Sequence, residues 1–198
     1  MTFPSTVIDC RHLWPPEFEG GCDCTECVSA DDHNAGTNTI QMAIDRVRAT
    51  GGKVCLGPGI FNLGATPVLI NAARSVQIQG HGWGTIVLYA GVGGAFQANG
   101  SIGLDISDLS ILAITREAAS GPLTVHNSFL VRVQRCLLLQ AGGSASNTAI
   151  GISGALMENV YRDNVLFGGI GIGAISRALG ATGVATQASY TISFGLRI

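Results

Sequence analysis

The stretch VQIQGHGWGTIVL, Val76 to Leu88, alternates apolar and polar residues over its first four positions, breaks at a glycine-rich GHGWG, and resumes with a second apolar run. Period-two alternation marks a half-buried strand, because successive side chains point to opposite faces. Two such strands, joined by a corner and with no helix between them, describe a piece of a repeating β-structure.

The pattern recurs. With Ile78 as a reference, Ile106, Val133 and Val160 follow at intervals of 28, 27 and 27 residues. Ten positions earlier stand Val68, Phe96, Leu123 and Ile150; eight earlier, Ile70, Ala98, Val125 and Ile152; five later, Trp83, Ile111, Leu138 and Val165. These sixteen positions are all apolar, where a composition of 46% apolar residues would make about seven so. Two positions before the reference stand Val76, Leu104 and Val131, and then Glu158 as the exception. Short strands repeated every 27 or so residues imply coils of parallel strands stacked about 4.8 Å apart, each burying its inner face against the next. A closed or sandwiched antiparallel domain would instead need frequent hairpin signals, and Asn99-Gly100 is the only Asn-Gly pair.

The composition agrees. Charged residues make up 12% of the 198, and 28 are glycine, which suits tight corners between stacked strands. The net charge of -2 provides no basic surface for nucleic acid. No apolar run reaches the length of a membrane span. The first twenty residues show no secretory signal pattern, although an extracellular or particle-associated setting stays compatible with the chain.

Ahead of the coils, TNTIQMAIDRVRATGG places Ile40, Ala43, Ile44 and Val47 at helical spacing, with Thr37 or Thr39 to cap the start and Gly51-Gly52 to stop it. The domain plan is therefore an irregular cysteine-rich segment over 1–36, a capping helix over 37–50 and coils over 53–198. After Phe167 the register loosens. If Ile198 fills the reference column, the last interval is 38 residues, and the open strand edge expected there invites self-association or a partner chain.

The run from Thr39 to Leu88, with its cap helix, the Gly57-Pro58-Gly59 turn and the ladder of Val76, Ile78, Gly80, Gly82 and Thr85, resembles the N-terminal cap and first coils of the pectate-lyase-like superfamily. The resemblance implies an all-β chain folded as a right-handed parallel β-helix. That superfamily includes lyases, hydrolases, epimerases, phage tailspikes and proteins without known activity, so it speaks to fold more than to function.

The hydrolase signatures are mostly missing. Gly80-His81-Gly82 matches a G-H-G triplet, but the N-T-D and R-x-K segments that accompany it in polygalacturonases are absent, and Asp31-Asp32 lies before the cap helix. Hydrolysis of a glycosidic bond needs two carboxyls, roughly 5 to 10 Å apart. A lyase-like calcium site needs about six to eight oxygen ligands. The nearest candidates are outward columns of Asp105 with Arg132 and Asn159, and of Asp108 with Arg135 and Arg162, with Glu158 and Asp163 in the next coil. Such columns also describe a ladder of surface ion pairs. A further column of Gln79, Ser107, Gln134 and Tyr161, joined by Gln77 and Asn159, could hydrogen-bond sugar hydroxyls, with Tyr161 as a stacking platform.

Cys22, Cys24 and Cys27 form C-x-C-x-x-C, with Cys10 upstream and His12 and His33 close by in sequence. Four such ligands would suit a structural zinc; one or two disulfides, with Cys55 as a further available partner, would staple the same segment. Cys136 follows a core strand and reads as a buried free thiol. The expected function is a non-catalytic structural or glycan-binding module, of the kind that forms part of a surface, spike or tail-like assembly. The alternative is a polysaccharide lyase or glycoside hydrolase acting on an acidic polysaccharide, its site incomplete or outside this chain.

Overall fold

In the computed structural model, which describes residues 23–114, 121–141, 148–154, 158–167 and 170–175, every strand pair is parallel and the strands fall into three sheets. The chain enters through β1 (Glu26–Val28), α1 (Ala30–Ala35) and α2 (Ile40–Val47). Five coils of three strands follow. They are β2 (Gly52–Leu56), β3 (Gly59–Asn62) and β4 (Val68–Asn71); β5 (Val76–Gln79), β6 (Thr85–Tyr89) and β7 (Gly94–Asn99); β8 (Asp105–Ser107), β9 (Ser110–Ala113) and β10 (Gly121–His126); β11 (Arg132–Gln134), β12 (Leu137–Gln140) and β13 (Thr148–Ser153); and β14 (Val160–Arg162), β15 (Val165–Phe167) and β16 (Ile170–Ile175). Sheet A stacks β1, β2, β5, β8, β11 and β14; sheet B stacks β3, β6, β9, β12 and β15; sheet C stacks β4, β7, β10, β13 and β16. The architecture is a parallel β-solenoid.

The inward columns form one continuous core. In sheet A, Ile78 pairs with Ile106 and Ile106 with Val133; in sheet C, Val68–Phe96–Leu123–Ile150 and Ile70–Ala98–Val125–Ile152 stack as the repeat predicts. Nearly all are fully buried. No coil could bury its inner face alone, so the stability of each depends on its neighbours.

Two parts of the predicted register are corrected. First, Val133 pairs with Tyr161 and Arg132 with Val160, so the last interval is 28 residues. The extra residue falls between Ser153, which pairs with His126, and Asn159. The apparent exception at Glu158 disappears: the inward residue is Asn159, buried, with Oδ1 accepting from Val131 N at 2.9 Å and Nδ2 donating to Ser128 O at 3.2 Å. Second, Trp83 is no core residue. Val87, Ile111, Leu138 and Leu166 form the inward column of sheet B, while Trp83 is 58% exposed in a 3-10 turn, Gly82–Gly84. His81 to Gly84 are inserted at that corner. Thr85 takes the buried level beneath, its Oγ1 accepting from His81 N at 2.7 Å and donating to Gly57 O at 2.9 Å.

The corners also depart from the expectation that glycines make them. Three left-handed columns turn the chain: Ala72, Gly100, Asn127 and Gly154; Ser75, Gly103, Leu130 and Glu158; and Asp108, Arg135 and Asp163. Eight of these residues are not glycine, at a cost of roughly 1–2 kcal/mol each, sustained because the stacked strands on either side overdetermine the turn. Gly80, at the same level as Asp108, is different: a Cβ there would collide with the Asp108 carbonyl and lie 2.7 Å from Leu109 Cβ.

Residues 26–35, expected to be irregular, instead build the N-terminal cap. β1 adds a rung to β2 (Glu26 with Val54, Cys27 with Cys55). Ser29 caps α1 by accepting from Asp32 N, and Thr39 caps α2 by accepting from Met42 N. α2 lays Ile40, Ala43, Ile44 and Val47 over the open end of the core, as their spacing predicts. Three side-chain amides then satisfy the three sheet edges. Asn34 bridges β3, donating to Ile60 O at 2.8 Å and accepting from Asn62 N at 2.9 Å. Gln41 does the same for β4, donating to Leu69 O at 3.0 Å and accepting from Leu69 N at 2.7 Å. Asn38 donates to Cys27 O on β1 at 2.8 Å. Asn34 and Gln41 each stand in for one peptide group of a missing coil, while Asn38 supplies a donor alone, its Oδ1 accepting from Arg46 at 2.6 Å, so that edge groups are paired. Beneath them, buried His33 accepts from Ile40 N through Nδ1 at 3.1 Å and packs against Phe61.

Gln41→Ala is expected to lower stability by about 1–2 kcal/mol through the loss of two edge hydrogen bonds, a fall of several degrees in Tm measurable by circular dichroism. His33 supplies a pH dependence. Burial lowers its pKa below the usual 6.5, outweighing a hydrogen bond to the Asn62 backbone. As pH falls below 6.5 the unfolded chain gains a proton that the folded chain resists, so stability should decline until His33 itself protonates. Urea unfolding at a series of pH values should show that loss in the native chain and not in His33→Ala.

Candidate functional site

The outer face of sheet A gathers the charged residues that the sequence singles out. Outward side chains on β5, β8, β11 and β14 stand in register, so Gln77, Asp105, Arg132 and Val160 form one column and Gln79, Ser107, Gln134 and Arg162 another. Asp108, Arg135 and Asp163 follow at the left-handed corner. The register correction moves three predicted members. Asn159 and Tyr161 turn into the core, and Arg162 joins Gln134 instead of Arg135. Tyr161, 1% exposed, therefore offers no stacking platform, and burial raises its pKa.

The face is a hydrogen-bonded lattice. Arg135 grips Asp108 with two nitrogens, Nε to Oδ1 at 2.6 Å and Nη2 to Oδ2 at 2.7 Å, while Gln79 Nε2 donates to Asp108 Oδ2 at 3.1 Å. Arg132 meets Asp105 Oδ2 at 3.3 Å. One coil further, Arg162 donates to Gln134 Oε1 from Nε at 3.0 Å and Nη2 at 2.8 Å, over a glutamine that is itself buried. The Arg135 hydrogen bonds hold the Asp108 carboxyl below its usual pKa and raise that of Arg135. Asp108 is thus a fixed anion and a poor proton donor at neutral pH. The pairs add little to stability, about 0–1 kcal/mol each at this exposure. The Gln79–Asp108 and Arg162–Gln134 bonds depend on which residues become coil neighbours, and pairwise sequence inspection misses them.

His81 sits on the neighbouring corner, tied through its backbone to Thr85. Among the described residues, no group of three or more His, Cys, Asp or Glu side chains is gathered as a metal ion requires. Of the four suggested zinc ligands, Cys24 is bonded to Cys55 with a Cα–Cα distance of 5.8 Å, and Cys27 is also disulfide-bonded. Cys10 and Cys22 lie outside the described residues, as does the expected C-terminal strand ending at Ile198.

These features define a parallel β-solenoid with one charged, cross-linked face. It is similar in fold to a solved structure from Parabacteroides merdae ATCC 43184 described as a "putative glycosyl hydrolase", with TM-score 0.52 and 14% identity over 83% of this chain and 97% of that one. No protein-family model and no curated protein matches the chain. No described helix is long and apolar enough to cross a membrane.

Cys136 is the free cysteine among the described residues, fully buried, with its pKa pushed up to about 12 chiefly by burial. Alkylation with iodoacetamide at neutral pH should therefore leave Cys136 unmodified in the native chain and modify it once unfolded. Under the same non-reducing conditions, peptide mapping should recover Cys24 and Cys55 on one linked species.

Proposed function

We propose that this chain is a right-handed parallel β-helix of the pectate-lyase-like kind that binds a polysaccharide along the outer face of sheet A without cleaving it. The right-handed assignment follows the strong preference of parallel crossover connections for that hand. The observation that carries the binding reading is the bidentate Arg135 clamp on Asp108, braced by Gln79. It offers a sugar a rigid row of donors and acceptors at coil spacing. It also keeps the Asp108 carboxylate ionised, where glycoside hydrolysis needs one carboxyl that retains its proton. Gln79 and Arg162 would contact hydroxyl groups, with Ser107 and Gln134 buried beneath them, and Asp105, Arg132 and Asp163 would flank them. The disulfides at Cys24 and Cys27 suit a chain that works outside a reducing cytosol.

The competing reading is a lyase or hydrolase acting on an acidic polysaccharide through Asp105, Asp108, Arg132, Arg135, Arg162 and Asp163. What favours it is the name of the structural neighbour.

Affinity electrophoresis against neutral and uronate-containing polysaccharides, with parallel assays for new reducing ends and unsaturated uronates, separates the two. Retardation without product is expected, weakened about five- to tenfold in Arg162→Ala, the effect of losing one charge-assisted hydrogen bond. Product formation that disappears in Asp108→Asn would establish the enzyme instead.

A further inference from the structure

Ion pairs gather on one outer face. An outward column of sheet B runs Asn62, Leu88, Leu112, Leu139 and Phe167, and one of sheet C runs Asn71, Asn99, His126 and Ser153. Sheet A instead carries two ion pairs that span the same two coils, Asp105–Arg132 and Asp108–Arg135. They are not alike.

The Asp108 pair is complete. Its Oδ1 accepts from Arg135 Nε, and its Oδ2 accepts from Arg135 Nη2 and Gln79 Nε2, all within 3.1 Å. The Asp105 pair is not. Arg132 reaches Asp105 with one nitrogen, Nη1 to Oδ2 at 3.3 Å, and its side chain is 54% exposed. Asp105 Oδ1 is shut away from solvent and has no hydrogen-bond partner among the described residues. Gln77 stands in register with Asp105 on the preceding coil, exposed, and its side chain likewise makes no hydrogen bond among the described residues. A buried carboxylate oxygen without a donor is costly, so such an atom calls for a reason. Here it leaves an acceptor flanked, about one coil spacing to either side, by the unused donors of Gln77 and Arg132.

We infer that the Asp105–Arg132 pair fixes the ligand specificity of this face: it takes the hydroxyls of an uncharged sugar and turns away a uronate. The inference rests on the polysaccharide-binding reading above. A hydroxyl both donates and accepts, so hydroxyls on neighbouring carbons can donate to Asp105 and accept from Arg132 together. A uronate carboxylate only accepts. It could pair with Arg132, but there it would stand a few ångströms from the Asp105 carboxylate, and like charges at that range repel. Asp105 Oδ1 would still lack a donor. Arg132 is the part that moves, because a single long contact holds it and an exposed pair of this kind adds little to stability. A site with a buried polar group discriminates sharply, since a ligand that leaves the group unpaired loses more than one that merely fits less well.

Affinity electrophoresis of the full chain through gels containing neutral glucan, mannan or galactan, and through gels containing polygalacturonate or alginate, reads the preference directly. Stronger retardation by a neutral polymer is expected. Asp105→Asn should shift the neutral-to-uronate affinity ratio about tenfold or more toward the uronate, the effect of removing one repelling charge. Arg132→Ala should weaken neutral binding about five- to tenfold with little change in Tm. Salt supplies a readout that needs no variant: retardation by the neutral polymer should persist from about 0.05 to 0.5 M sodium chloride, where screening erases a charge-driven contact. A wild-type chain that prefers the uronate polymers, neutral binding that salt abolishes, or a ratio that Asp105→Asn leaves unchanged overturns the inference and leaves the binding reading standing. A chain that none of these polymers retards overturns both.

Discussion

A stack of parallel coils begins with an unsolved problem: the first strand of every sheet exposes a row of unpaired backbone donors and acceptors, over a core that would otherwise open to water. The rest of this structure depends on how that end is closed. β1 pairs with β2, α2 covers the core, and the amides of Asn34, Gln41 and Asn38 hydrogen-bond to β3, β4 and β1. A primary amide carries one carbonyl and one N–H₂ group, so it can complete a ladder as a peptide would. Charged side chains could blunt such an edge but not complete it. The Cys24–Cys55 bond then links β1's approach to the first coil, so the cap and the solenoid hold one another.

Once the end is closed, every coil repeats the same inside and is free to vary outside. The inward columns are mostly aliphatic or aromatic, Phe61, Tyr89, Phe96 and Tyr161 among them, with Thr85, Asn159 and Cys136 admitted where backbone groups can bond to them. The outward columns diverge into a charged face, a polar face and an apolar face. One fold thereby separates a hydrogen-bonded, charged face on sheet A from an apolar face on sheet B. The insertion His81 to Gly84 lies at the corner between those two faces. Its triplet matches a catalytic signature by composition, but in place it lifts Trp83 outward and buries Thr85 beneath.

Much of the fold was legible because core stacking imposes a strict periodicity on apolar residues. Sheet C followed its predicted columns over four coils, and α2 buried the four residues that its spacing named. The errors came where a corner changed length. One added residue between Ser153 and Asn159 shifts every later side chain by one position, and in a strand a one-residue slip exchanges inside for outside. Val160 and Tyr161 are both apolar enough for the reference column, so hydrophobicity alone could not place the slip. The same error sent Tyr161 to the proposed binding face and separated Arg162 from Gln134.

The sequence by itself determined the repeat, the parallel solenoid and the helical cap, because those follow from where apolar residues recur along the chain. Tertiary structure decided what the polar residues do. Whether Asp108 is free or clamped, whether Cys24 faces a metal or Cys55, and whether Asn34 and Gln41 decorate a surface or complete a sheet depend on neighbours some 27 to 31 residues away. Apolar burial is non-directional and survives small errors of register, whereas a hydrogen bond or a disulfide needs its partner within a few tenths of an ångström.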